Sequence, residues 1–439
     1  MRSLIAFFGQ NLVYLSVGSI FFADLSLGWR YGIGVAAVNY GFFLWNALGL
    51  RIASGPLRGV TAVYLLVYAL LFSLRRHRHR IPPAKFIDWH SGLYLFLLSV
   101  YGLLAVIQAM ALPLYHLDAI IGFGLKSKLL IHAGTFKFPY FYERGIINPV
   151  PNYPLLVPYG QAFFYWLVGA VRDDNVRIWH AVIGAAWLSM IVAELRRHFT
   201  LRTSLLWAAL FFTLPGLYRD NETQLVSGIS DIPFAFFWTG VFLSGLRYWK
   251  NPRQIRPLTV MILFSIGCVF TKSNGTILTA LAWGLLYAQR RKPEILKMAL
   301  LLGLLLVPWF VIQSGLPHDF TTPRLSFDTM AARGWQGLVF YSRAMIRILF
   351  DRATWGIFWV LMPALFMVSM RDHRPINNYL ALLLALQLIV YGAIILMEPV
   401  DLGAFIGAQM PRWMFHVAPL ALFLISESFV PLISQKEIA

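Results

Sequence analysis

Runs of mostly apolar residues follow one another along the whole chain, separated by short polar breaks. They cover roughly 5–26, 31–50, 57–74, 91–112, 178–195, 203–218, 229–246, 257–271, 275–289, 296–313, 353–370, 377–397 and 412–430. A helix that crosses a bilayer needs about 20 such residues. Several runs are short, which suits tilted, merged or broken spans. The pattern predicts an all-α integral membrane protein with about 11–13 transmembrane helices. One polytopic domain is expected over 1–439, with N-terminal spans in 1–90 and a core in 91–430 whose first large loop is 113–177.

Two further stretches have helical character but a different place. The stretch 156–171 begins after Pro154 and ends at Arg172-Asp173-Asp174, which predicts a helix in or near an interface. In 330–352, Arg333, Gln336, Arg343, Arg347 and Asp351 recur mostly at three- or four-residue steps, with Leu338, Val339, Ile346, Leu349 and Phe350 on other faces. That pattern predicts an amphipathic helix lying in the interface. A plain lipid-surface anchor and a phosphate-binding role for its arginines both fit.

Composition agrees with the pattern. The chain is 59% hydrophobic and only 13% charged, where a soluble domain has about 25% charged residues. Its 15 Trp and 19 Tyr suit interfacial belts. A net charge of +18 would suggest nucleic acid in a soluble chain. Here it reads as basic loops held in the cytoplasm, and no aromatic-basic module for single strands is present. The single cysteine, Cys268, excludes an internal disulfide, a Cys-based zinc site and a redox pair. Met1-Arg-Ser-Leu runs into apolar sequence without a small-residue cleavage site, which reads as an uncleaved membrane segment.

The basic breaks set an orientation. Arg75 to Arg80, Arg196-Arg197-His198, Arg247 to Arg256, Arg290-Arg291-Lys292 and Arg371 to Arg374 all fall in the cytoplasm if 156–171 does not cross. A cytoplasmic C-terminus follows, and the cytoplasmic membrane is the expected location. Arg51 and Arg58 would lie outside, against the rule. The outer segments are then 113–177, 219–230, the turn at Lys272, 314–352 and 398–411, and the acids concentrate there.

Candidate chemistry sits in those segments. Asp118 follows a span, and a helical continuation would put Asp118, Gly122 and Lys126 on one face, with Lys128 and His132 on another. An acid at a water–lipid boundary beside cations can stay ionised and act as a general base, or it can be a solvated loop carboxylate. Arg219-Asp220-Asn221-Glu222 and Ser230-Asp231-Ile232-Pro233 form a second acidic group. Asp231 fits both a functional carboxylate and a helix N-cap. Thr271-Lys272-Ser273-Asn274-Gly275 joins two apolar runs with almost no loop, so Lys272 either snorkels or points into a cavity. Arg412 and His416 stand one turn apart at the start of the last run, as an interfacial anchor or as site residues.

These pieces resemble the C-type, multi-spanning glycosyltransferases that use polyprenyl-phosphate sugars, such as protein O-mannosyltransferases and lipid A aminoarabinose transferases. The resemblance runs in order from about 115 to 419. It rests on Asp118 with Lys126 and Lys128, on Tyr153-Pro154-Leu155-Leu156, on Asp231-Ile232-Pro233-Phe234-Ala235, on Thr271-Lys272-Ser273-Asn274-Gly275, and on Arg412, His416 and Pro419. It implies inverting transfer of a sugar from a polyprenyl phosphate to a hydroxyl of a glycan, lipid or protein on the outer face. Asp118 would be the catalytic base, and Lys272, Arg412, Arg343 and Arg347 would hold the donor phosphate. Lys126, Lys128, Tyr153, Glu222, Asp231, Asn274 and His416 complete the candidate site. The relatives carry Glu-Lys-type residues where this chain has Asn152-Tyr153, and Glu where it has Asn274. These departures weigh against carrying over a divalent-metal site, and no cofactor is required. The rival reading is a transporter or flippase of lipid-linked sugars. That would favour ionisable residues near the midplane and repeated halves, whereas the acids here cluster at outer ends.

Overall fold

A computed structural model describes residues 2–76, 88–114, 116–142, 152–219, 225–316, 325–371 and 377–436. The described residues are helical and include no strand. Each apolar run of the sequence contains a helix. Six helices are long and apolar enough to cross a membrane: Arg2–Phe22, Ser54–Phe72, Trp89–Ala111, Ile178–Leu195, Pro293–Ser314 and Asn378–Met397. Leu201–Phe212, Arg256–Thr271 and Phe358–Val368 are shorter apolar helices. The architecture is that of an all-α, multi-pass membrane protein, in which every backbone polar group of a span must be satisfied within the span.

The chain divides into two compact units. The first holds Met1–Ala193, Val226–Ile229 and Val307–Pro317, and the second holds Glu194–Leu225, Ser230–Leu306 and His318–Ala439.

In the first unit, Arg2–Phe22 and Leu27–Ala47 form a tight helical hairpin. A Cβ at Gly18 would collide with the backbone of Arg30, and one at Gly34 with the backbone of Tyr14. Glycine at both places lets the two backbones touch, the usual device of membrane helix pairs. At the centre of the unit lies the helix Leu156–Val168, buried at all but one of its positions. The helix expected at 156–171 is thus present and enclosed by other helices. Its sequence is apolar nearly all round, and such a helix is enclosed rather than laid on a surface. Several of its polar groups are matched inside: Gln10 Nε2 donates to Gly160 O (2.6 Å), Tyr159 OH to Asn46 Oδ1 (2.6 Å) and Ser127 Oγ to Gln161 Oε1 (2.7 Å).

In the second unit, the helix Asp231–Lys250 is the core, buried over most of its length and packed on Arg256–Thr271, Asn274–Arg290 and Leu402–Lys436. Phe236 and Phe237 meet Phe264, and Phe242 meets Phe423. Twenty residues give this helix a length of about 30 Å, the thickness of a bilayer core. Its two ends carry different chemistry. Asp231 opens it, and Arg247 and Lys250 close it, paired with Glu194 and Glu427 respectively. The last helix continues unbroken from Leu402 to Lys436 through Pro411, where the sequence predicts a loop over 398–411.

The helix Phe327–Leu349 matches the amphipathic element expected at 330–352 and is largely exposed. It is kinked at Gly334, whose φ of 47° and ψ of −142° suit glycine. Arg333 donates to the carbonyls of Ile395 (2.8 Å), Leu396 (3.1 Å) and Val400 (2.5 Å). It thus caps the C-terminal end of Asn378–Met397, where carbonyls lack helical partners and a cation is favoured.

Candidate functional site

Three of the motifs singled out in the sequence meet in the second unit. Asp231 is the first residue of its helix and is 1% exposed. Ser230 occupies the N-cap position and makes no side-chain cap bond. The capping alternative for Asp231 is therefore not what forms: its carboxylate turns to cations instead. Lys272 leaves the two-residue turn between Arg256–Thr271 and Asn274–Arg290 to pair with Oδ1. Arg412 donates to Oδ2 through Nε (2.9 Å) and a terminal nitrogen (2.7 Å). His416, one turn after Arg412 and fully buried, brings Nε2 to 3.3 Å of Oδ1. That is ion-pair distance without the alignment of a hydrogen bond.

A polar chain extends from His416 into the apolar core. His416 Nδ1 and Tyr391 OH are 3.1 Å apart, Gln387 Nε2 donates to Tyr391 OH (3.2 Å), and Trp238 Nε1 donates to Gln387 Oε1 (3.1 Å). Phe234 and Trp413 pack on the His416 and Tyr391 rings. A buried carboxylate is costly unless paired, and a network of this kind holds its members in one geometry. Trp238, Gln387 and Tyr391 are not among the residues expected from the sequence. The signal for them was Gln387, a polar residue in the middle of an otherwise apolar span.

Two further motifs meet in the first unit. Asp118 opens a π-helix, Asp118–Gly124, that runs into the α-helix Leu125–Ala133. Such wider turns often mark functional positions, and this one replaces the regular α-helical face assumed for Asp118, Gly122 and Lys126. Asp118 is half-buried. Lys126 is fully buried, donates to the carbonyl of Tyr153 (3.1 Å) and lies 5.7 Å from the Tyr153 ring centre. Phe123 packs on the same ring at 5.8 Å. The lysine thus ties the π-helix to the Tyr153-Pro154 re-entry. Lys128 pairs with Asp173 (2.5 Å).

Arg177 was missed by the sequence reading. It is fully buried and donates to the carbonyls of Val226 (2.6 Å), Leu112 (3.0 Å) and Pro113 (3.2 Å). It thereby fixes the end of Trp89–Ala111 just ahead of Asp118. The available signal was a lone arginine immediately before an apolar run.

The remaining candidates stand apart. Arg343 and Arg347 are exposed on Phe327–Leu349 and make no ion pair among the described residues. They were expected beside Lys272 and Arg412. The amphipathic helix turns its charged face outward, which is why they do not join the buried cluster. Asn274 is half-buried at the first position of its helix. Glu222 lies outside the described residues. Among those residues, no group of three or more His, Cys, Asp or Glu is arranged to hold a metal ion. The chain matches no protein-family model, and a search of curated proteins returned no match. What fold and site define is a multi-pass helical membrane protein with an ion cluster buried at the start of its central helix.

Proposed function

We propose that the protein is a membrane glycosyltransferase that moves a sugar from a polyprenyl-phosphate donor to an acceptor hydroxyl on the outer face of the cytoplasmic membrane. The observation that carries this reading is the buried Asp231 cluster. Lys272 comes from one stretch of the chain and Arg412 with His416 from another, each matching the transferase resemblance, and all gather on one carboxylate.

Each assignment stands on the geometry of its own unit. In the second unit, Lys272 and Arg412 form a cationic pair suited to binding a phosphate, and Asp231 keeps both cations oriented. In the first unit, Asp118 is the general base, half-buried at the head of the π-helix. The acceptor O–H gives its proton to the Asp118 carboxylate. The oxygen bonds to the anomeric carbon, the bond from that carbon to the phosphate oxygen breaks, and polyprenyl phosphate leaves with the electron pair. Attack from the side opposite the phosphate inverts the anomeric centre.

The test is donor binding by the purified protein. Lys272→Ala and Arg412→Lys are expected to weaken binding of a polyprenyl-phosphate sugar by roughly tenfold or more, since each loses a charge-assisted contact. A matched polyprenol without phosphate should bind both variants and the parent equally. Donor affinity unchanged in both variants would remove the cluster from the donor site. Directional flux of a lipid-linked sugar across vesicles without transfer would favour the flippase reading.

A further inference from the structure

At the opposite end of the Asp231 helix, the second unit has an open cavity of about 550 Å³. Trp249, Gln289, Arg290, Asn378, Ala381 and Leu382 line it. Three helix ends meet there: Trp249 is next to last in Asp231–Lys250, Arg290 is last in Asn274–Arg290, and Asn378 is first in Asn378–Met397. The cavity therefore lies at the level where spans end, about 30 Å along the helix from Asp231.

Its chemistry is that of an anion site. The Arg290 guanidinium stacks on the Trp249 ring, 4.6 Å from its centre, and one terminal nitrogen is held by the Trp249 carbonyl. The planar group is thus preoriented before any ligand arrives. Arg290 Nε and Gln289 Oε1 are both buried and have no hydrogen-bond partner among the described residues. The first turn of Asn378–Met397 forms the far wall, with its Tyr379 and Leu380 N–H groups donating to Asn377 Oδ1. Arg291 and Lys292 follow Arg290 directly, with Glu294 the nearby acid in sequence. The apolar wall, Ala381 and Leu382, suits the glycerol and first methylenes of a lipid rather than a free ion.

We infer that this cavity binds the phosphate headgroup of an anionic membrane lipid at the basic-loop end of the second unit. The Arg290 guanidinium, stacked on Trp249, donates to a phosphate oxygen. The site is separate from the Asp231 cluster and independent of the transferase reading.

The experiment uses the full-length protein released from phosphatidylcholine vesicles that contain a minor share of phosphatidic acid, with bound lipid counted by native mass spectrometry. The parent should retain phosphatidic acid over phosphatidylcholine. Arg290→Gln, which removes the charge, and Ala381→Phe, which fills the cavity without touching charge, should each lower that retention by about tenfold. Inorganic phosphate at matched concentration should not displace the lipid. Retention unchanged in both variants, equal retention of phosphatidylcholine, or full displacement by inorganic phosphate would each overturn the assignment, the last by making a soluble phosphate the ligand.

Discussion

Asp118 and Asp231 are two carboxylates that each open a helix, and they differ in burial. Asp231 is sealed in the core of the second unit, gripped by a lysine and an arginine and backed by a histidine. Asp118 heads a π-helix in the first unit and keeps part of its surface open. A carboxylate bound to two cations is a poor proton acceptor and a good organiser of positive charge. A half-open one can take a proton from a substrate. The same side chain thus suits two tasks, and its neighbours decide which.

The comparison predicts that neutralising the two acids will fail in different ways. The largest effect on stability belongs to Asp231. Asp231→Asn leaves Lys272 and Arg412 inside the protein without their carboxylate, and breaking a buried pair in this way costs about 3–5 kcal/mol. Thermal unfolding in detergent should show a larger loss for Asp231→Asn, at a fully buried position, than for Asp118→Asn, at a half-buried one. Equal, small shifts would mean that the cluster is not a structural anchor. Next comes Arg177, which clamps the carbonyls ahead of Asp118. Arg177→Met keeps the bulk of the side chain but frees three carbonyls. It should cost about 2–3 kcal/mol by the same unfolding assay, since bonds to a charged group are worth more than neutral ones. Insensitivity at Arg177 would sever the proposed support of the π-helix.

Smaller effects sharpen the picture away from the two acids. Arg333→Ala removes the cap on Asn378–Met397 and should lower stability by about 0.5–1 kcal/mol. Hydrogen exchange should rise selectively at that helix end, and uniform exchange would argue against a cap. The smallest effect is a pH dependence at His198. It lies 3.2 Å from Lys250 Nζ and 3.6 Å from Glu427. Burial first, and then Lys250, push its pKa below the ordinary histidine value, and Glu427 partly opposes this. A lowered folded-state pKa means that protonation favours unfolding. The stability His198 contributes is complete above the unfolded value of about 6.5 and declines as pH falls from there toward the folded value. His198→Gln should flatten the fall in unfolding temperature between about pH 7.5 and about pH 5.5. An unchanged slope would assign the fall to other groups.

Much of the fold was legible because membrane helices are written as long apolar runs, and every run proved helical. What lay between the runs was harder to read. The stretch 156–171 looked interfacial because prolines and charges flank it, yet Leu156–Val168 is enclosed by helices far away in sequence. Pro411 looked like a helix start, but the helix passes through it from Leu402. Neighbouring helices can offset the one hydrogen bond that a proline removes. The site was legible to the extent that charges beside apolar runs are costly. Asp231, Lys272, Arg412 and His416 were all conspicuous for that reason, and they gather as one cluster. Arg177 escaped notice because its partners are backbone carbonyls 49 to 65 residues away, which no local pattern encodes. The π-helix at Asp118 was not expected either, since the spacing was read with the regular α-helical period.

The division of labour between the two acids is tested most directly by Asp118→Asn in a reconstituted transfer assay with a polyprenyl-phosphate sugar and an acceptor hydroxyl. The substitution nearly preserves shape while removing the base. Turnover should fall by about 10²–10⁴-fold, with donor affinity close to the parent's. Transfer at the parent's rate by Asp118→Asn would contradict the account, whatever the Asp231 cluster is found to bind.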